Sequence, residues 1–266
     1  MHELQLASGF VYQCTGPASA TPVIYLPGVQ GCWTSQGEAR PLFASTIRLI
    51  EIAYPPRERW TLHHYADALS EVMNKLKLDS AHLVGESFGS LVGWQFGKLF
   101  PDRVRSHILV GGFTRAPGLY RAGYARLGLT LVPSFAFDQI VNTYAYHKRK
   151  VVDHTLVSTR SFPGVRGKQG QLATANRMHL IQQSDFRQQL AQVPFAVRYV
   201  GGSHDRLVPV GREIATLRRR LSPKAQFDDY LIQDAPHMVI ASHPDITVDC
   251  IRQWVNELES CRGLRV

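Results

Sequence analysis

Short apolar runs alternate with amphipathic stretches of helix length along most of this chain, and that alternation limits the fold more than any other feature. Residues 23–26, 47–53, 81–84, 106–110, 195–200 and 227–232 are rich in branched or aromatic side chains and end in turn-forming sequence. They read as strands, the first of them buried. Between most of them lie helical patterns, at 62–76, 88–100, 210–221 and 246–258. Strands that alternate with helices pair in parallel, because the crossover helix returns the chain to the same edge, and the helices then cover both faces of the sheet. In such a sheet ligands bind beyond the carboxyl ends of the strands. With 266 residues the chain is long enough to bury one large core of this kind and carry an insertion.

Chemistry enters at Gly85-Glu86-Ser87-Phe88-Gly89, which joins the strand at 81–84 to the helix that begins near Phe88. This is a G-x-S-x-G sequence between a strand and a helix, the setting in which a serine is held on a sharp turn as a nucleophile. Glycine is needed two residues before and after the serine, because a Cβ at either place would collide with neighbouring backbone. A serine hydroxyl is a weak nucleophile at neutral pH, so a histidine must take its proton, and a carboxylate must fix that histidine's tautomer. Asp205 follows the run at 195–200, and His237 follows the run at 227–232. Among rival acids, Asp228 and Asp229 fall inside a strand pattern and Asp234 stands close to His237 in sequence. His204 adjoins Asp205, and neighbours on a loop point different ways. His63, His64, His107, His179 and His243 have no partner motif and read as surface or satisfied core residues.

This arrangement resembles the α/β-hydrolase family over nearly the whole chain, apart from the segment between about Thr114 and Leu190. The order Ser87, Asp205, His237 is the family's order of nucleophile, acid and base. The resemblance implies a mostly parallel central sheet flanked by helices, with core segments at 1–113 and 191–266 and a helical cap or lid inserted at 114–190. It implies an oxyanion hole from the backbone N–H of Phe88, the residue after the nucleophile, and of Val29 in the loop after the first parallel strand. Pro27 stands where the family commonly has histidine, which leaves the choice between Val29 and Gln30 open. Some relatives carry the acid after the strand that follows the nucleophile helix, where this chain has Gly111-Gly112-Phe113-Thr114. Epoxide hydrolases and haloalkane dehalogenases of the family use an aspartate at the elbow, and Ser87 argues against both.

The function expected is cleavage of a carboxylic ester or thioester through an acyl-enzyme on Ser87, His237 and Asp205. Carbon-carbon bond hydrolysis or acyl transfer on the same three residues is an alternative, since fold and triad do not fix the substrate. A non-catalytic ligand-binding receptor of the same fold is another. No cofactor is expected, and no metal, since the sequence has no H-E-x-x-H, C-x-x-C or EF-hand pattern. No phosphate-cradling glycine motif follows a strand, and 164–170, rich in glycine and basic residues, reads as a loop.

The insertion holds the chain's charge. Residues 115–190 contain eleven Lys and Arg against three acids, which accounts for +8 of the formal +9. A cluster of this kind is either a solvated face or an attractor for anionic acyl substrates or acidic lipid surfaces. No nucleic-acid motif accompanies it. Helices are expected at 121–132, 135–150 and 171–190, and the aromatics Tyr120, Tyr124, Phe135, Phe137, Tyr144, Tyr146 and Phe162 suit either a pocket wall or packing within the lid. Cys14, Cys32, Cys250 and Cys261 lack metal or redox spacing and read as free thiols, with Cys32 near the oxyanion loop. Residues 1–9 lack a signal-peptide pattern, and the apolar stretch at 127–137 is broken by Pro133 and too short for a bilayer. A cytoplasmic enzyme acting on a small acyl substrate is therefore expected.

Overall fold

The computed structural model describes residues 4–115, 131–133, 136 and 167–263. The helices expected at 121–132 and 135–150 fall almost wholly outside the described residues, as do the aromatics named for the insertion and the cations at 148–150.

Eight strands form one sheet: β1 (Leu4–Gln5), β2 (Val11–Thr15), β3 (Pro22–Leu26), β4 (Arg48–Ala53), β5 (Ala81–Glu86), β6 (Val104–Val110), β7 (Ala196–Gly202) and β8 (Phe227–Ile232). The helices are α1 (Ala39–Ala44), α2 (Leu62–Lys75), α3 (Phe88–Leu99), α4 (Gly167–Gln183), α5 (Val210–Arg220), α6 (Val239–Ser242) and α7 (Pro244–Gly263). The strand order is β1-β2-β4-β3-β5-β6-β7-β8, parallel from β4 to β8 and antiparallel where β2 meets β1 and β4. The six parallel strands are those the apolar runs predict. The pair β1 and β2 has no such signal: β1 is two residues long, and β2 carries Gln13 and Thr15 among its apolar residues and lies against the sheet's edge.

Helices bury both faces of the central strands, whereas β1 and β8 at the sheet's edges are largely exposed. On one side Leu62, Tyr65, Leu69, Val72 and Met73 of α2 and Phe88, Leu91, Val92 and Phe96 of α3 pack on alternate residues of the strands. On the other, Phe43 of α1 and Val248, Ile251, Trp254 and Val255 of α7 do so. The spacing of the α7 residues places them on one helical face, which fixes the orientation of that helix against the sheet.

Two features of this topology position a site. The chain passes from β3 outward to β4 and then back across to β5, so the loops after β3 and β5 diverge to opposite sides and leave a crevice between them. The register pairs Leu26 with Gly85 and Glu86 with Val110, so the ends of β3, β5 and β6 lie at one level. The insertion departs and returns at that same edge. Phe186 N–H donates to the Thr114 carbonyl at 2.9 Å, and Arg115 bridges Asp185. The segment from Gly167 to Gly170, read as a loop, is instead the first turn of α4. Gly167 has φ of +65°, a left-handed conformation that starts the helix abruptly, and buried Gln171, Ala173, Thr174 and Arg177 hold it against the core. Among the described residues no helix is long and apolar enough to cross a membrane.

Candidate active site

Ser87 sits between the end of β5 and the first residue of α3 with φ of 49° and ψ of −113°, a conformation that is costly for a residue with a side chain. The neighbouring glycines make the turn sterically feasible. A Cβ at Gly85 would stand 2.8 Å from the Ser90 backbone, and one at Gly89 would stand 2.0 Å from the Leu26 carbonyl. Hydrogen bonds fix the turn from both sides. Ser87 N–H donates to the Val110 carbonyl at 3.0 Å, and the Ser87 carbonyl accepts from buried Ser90 Oγ at 2.6 Å. Ser90 Oγ in turn accepts from Phe113 N–H at 3.0 Å, which ties the elbow to the end of β6.

Asp205 and His237 meet directly. His237 Nδ1 lies 2.7 Å from Asp205 Oδ2, and the carboxylate is fully buried. The other oxygen, Oδ1, accepts from Leu207 N–H at 2.8 Å and Val208 N–H at 2.9 Å. An acceptor-only carboxylate facing Nδ1 requires the proton on Nδ1, which leaves Nε2 as the ring's acceptor. The loops that carry the two residues are laced together. Ser203 N–H donates to the Ile232 carbonyl, His204 N–H to the Ala235 carbonyl and Asp234 N–H to Ser203 Oγ. This close approach depends on Gly202, where a Cβ would stand 2.1 Å from the Ala235 carbonyl.

The serine and the histidine flank one strand end. Ser87 bonds to Val110, and the next residue, Gly111, backs onto the His237 ring; a Cβ at Gly111 would lie 3.3 Å from Nδ1. No hydrogen bond joins Ser87 to His237; the hydrogen bond of the histidine is the one to Asp205.

Two loops supply N–H donors beside Ser87. Phe88 opens α3, and its N–H is among the first-turn donors that an α-helix leaves without an internal acceptor. Residues 28–31 form a turn closed by Gly31 N–H donating to the Gly28 carbonyl at 2.9 Å. A Cβ at Gly28 would lie 3.7 Å from Ser87 Cβ, so the turn rests on the Ser87 side chain. The N–H groups of Val29 and Gln30 have no acceptor among the described residues. Cys32, just past the turn, is buried.

The rival residues are engaged elsewhere. Asp228 accepts from Trp254 Nε1, Asp229 pairs with Arg218, and exposed Asp234 lies 3.7 Å from exposed His204. His107, read as a surface or satisfied core residue, is buried against Trp94 with both ring nitrogens unpartnered among the described residues, and burial holds its pKa down to about 3. The residue that sequence reasoning missed is Arg177 of α4. In the sequence it is only one of the insertion's charges, yet its side chain is fully buried against the turn at 28–31.

A mostly parallel sheet with a strained serine after β5, and a buried Asp-His pair carried by the loops after β7 and β8, defines a class of protein. The chain belongs to the α/β-hydrolase fold family, whose model it matches over residues 31–244. It is 23% identical over 72% of each chain to a protein named as the carbamate hydrolase RutD from Azorhizobium caulinodans. It is 26% identical to a protein named as pimeloyl-[acyl-carrier protein] methyl ester esterase from Methylococcus capsulatus, over 74% of this chain and 77% of the relative. Among solved structures, a thermophilic esterase from Thermogutta terrifontis superposes with a TM-score of 0.75 at 19% identity, over 97% of this chain and 99% of the esterase.

Proposed function

We propose that this protein is a serine hydrolase that cleaves a carboxylic ester or thioester through an acyl-enzyme. Ser87 Oγ attacks the carbonyl carbon while His237 Nε2 takes its proton. Asp205 stabilises the imidazolium that results, and the N–H groups of Phe88 and Val29 receive the oxyanion. His237 then returns the proton to the departing oxygen or sulfur. Water, deprotonated by the same nitrogen, attacks the acyl-enzyme carbonyl; the bond from Ser87 Oγ to the acyl carbon then breaks, the acid departs and His237 gives the proton to Oγ.

The observation that carries this reading is the Asp205–His237 hydrogen bond, because the two backbone donors on Oδ1 leave Oδ2 for Nδ1 and so keep Nε2 basic. The relatives' names support it, since a carbamate and a methyl ester are both attacked at a carbonyl carbon that carries a heteroatom leaving group. The test is covalent labelling by a fluorophosphonate. The wild type should label on Ser87, Ser87→Ala should not label, and both Ser87→Ala and His237→Ala should lose turnover of a short-chain aryl ester by several orders of magnitude. Labelling that persists on another residue of Ser87→Ala would refute the assignment.

A further inference from the structure

The turn at 28–31 is held from outside by one side chain. Its four carbonyls are all occupied. Gly28 accepts from Gly31 N–H at 2.9 Å and Gly31 from Tyr54 N–H at 2.8 Å, while Arg177 donates from Nε to Val29 at 2.6 Å and from a terminal nitrogen to Gln30 at 3.4 Å. The same terminal nitrogen donates to Thr174 Oγ1 at 3.1 Å. The guanidinium lies flat against Gly31, where a Cβ would come within 3.1 Å of its central carbon. Gly31 also has φ of +82°, so glycine is required there twice over.

Arg177 is fully buried and makes no ion pair with a carboxylate among the described residues. Among the described residues its second terminal nitrogen meets no partner other than the nearby Tyr65 phenol. The nearby phenols of Tyr54 and Tyr65 do not neutralise it, since burial pushes both above the ordinary tyrosine range and keeps them protonated. A buried cation without a counter-ion is costly, and its carbonyl partners are weak compensation. What the described residues do show is where its donors go. A trans peptide sets its C=O and N–H in opposite directions. Arg177 ties down the Val29 carbonyl, so the N–H of the same peptide unit, that of Gln30, points away from the guanidinium, while the Gly28 carbonyl, paired in its unit with Val29 N–H, is fixed by Gly31 N–H and Gly28 itself lies against Ser87.

We propose that Arg177 is the positioning residue of the oxyanion loop, holding the turn at 28–31 so that a backbone N–H of Val29 or Gln30 is preorganised for the tetrahedral intermediate. The inference rests on the serine-hydrolase reading above. It adds a dependence of the hole on the insertion: Arg177 lies on α4, whose Asn176 also donates to the Trp60 carbonyl at 2.8 Å, so the seating of this helix sets the geometry of the loop.

The experiment compares wild type, Arg177→Met, Arg177→Lys and Thr174→Val, with active sites counted by fluorophosphonate labelling of Ser87 and folding checked by thermal melting. A displaced donor should cost Arg177→Met about 100-fold in kcat per labelled site at unchanged KM. The affinity of phenylboronic acid, which forms a tetrahedral adduct on serine, should fall in parallel. Arg177→Lys keeps the charge without the planar fork and should lose about tenfold in both. A purely structural role would lower the labelled fraction and leave kcat per site and boronate affinity alone. Variants that melt as wild type and match it in both quantities would overturn the proposal; if Arg177→Met does not fold, Arg177→Lys and Thr174→Val decide by the same criterion. Absence of labelling in the wild type would instead remove the serine-hydrolase reading, and this inference with it.

Discussion

Replacing Asp205 by asparagine keeps the shape of the side chain and changes which atoms can accept a hydrogen bond. In the native protein Oδ1 accepts from Leu207 and Val208 N–H, and Oδ2 accepts from His237 Nδ1. Asparagine has one acceptor oxygen, and the two backbone donors claim it. The amide NH2 then faces Nδ1, which must become an acceptor, so the ring proton moves to Nε2 and the ring cannot deprotonate Ser87. Turning the amide over would restore a carbonyl to His237 but set NH2 against both backbone donors. That forfeits two hydrogen bonds, roughly 2–3 kcal/mol, so only about one molecule in 30 to 150 would hold the productive tautomer. The missing charge beside the imidazolium adds to this loss, and the same replacement in a serine-protease triad costs about 10⁴ in kcat. The expected result is therefore a folded protein with an unchanged melting temperature and a kcat for a short-chain aryl ester reduced by about 10²–10⁴. The assay is steady-state hydrolysis normalised to protein, with circular dichroism as the folding check. A kcat close to wild type, with Asp234→Asn inactive, would refute the reasoning and move the acid.

Gly89→Ala places a methyl group 2.0 Å from the Leu26 carbonyl, so β3 and the elbow must part. A lower melting temperature and at least about 100-fold slower ester turnover should follow, since a displacement of about 1 Å suffices for that loss; wild-type kinetics would show that the contact is easily relieved. His107 gives a prediction in pH. Its folded pKa, about 3, lies below the ordinary histidine value, so the native state is stabilised in full above about pH 6.5 and loses about 1.4 kcal/mol per unit as pH falls from there toward 3. His107→Leu should remove this part of the acid sensitivity, read as a smaller shift of the urea midpoint between pH 7 and 4.5, and equal shifts in the two proteins would contradict it.

What the sequence makes legible follows from period and punctuation. The six parallel strands and the helices α2, α3, α5 and α7 announce themselves because a sheet covered on both faces needs continuous apolar runs and each covering helix needs one apolar stripe. Ser87 is legible because a strained turn demands glycine at two fixed distances, and that demand is local. Asp205 and His237 are legible as positions after strands. Their contact is not, because it is made by two loops whose approach depends on Gly202, a glycine that looks like any other turn residue in the sequence. β1 and β2 are invisible for a related reason: an edge pair joined through its backbone needs little apolar content.

Arg177 shows where counting residues misleads. As a number it is one of eleven cations in the insertion, and a sum of charges treats every cation as free to act on solvent or substrate. In the structure Arg187 and Arg115 lie 2.6 and 3.8 Å from the carboxylate of Asp185, the acid through which the insertion rejoins the core. Arg177 is withdrawn from the surface altogether and spends its donors on the carbonyls of the loop beside Ser87. Three of the cations are therefore held in place by this chain's own backbone and acid, and burial and geometry decide what they do. One guanidinium among them is a stronger argument about the oxyanion hole than the sequence could provide, because its role lies in which carbonyls it reaches across 147 and 148 residues of chain.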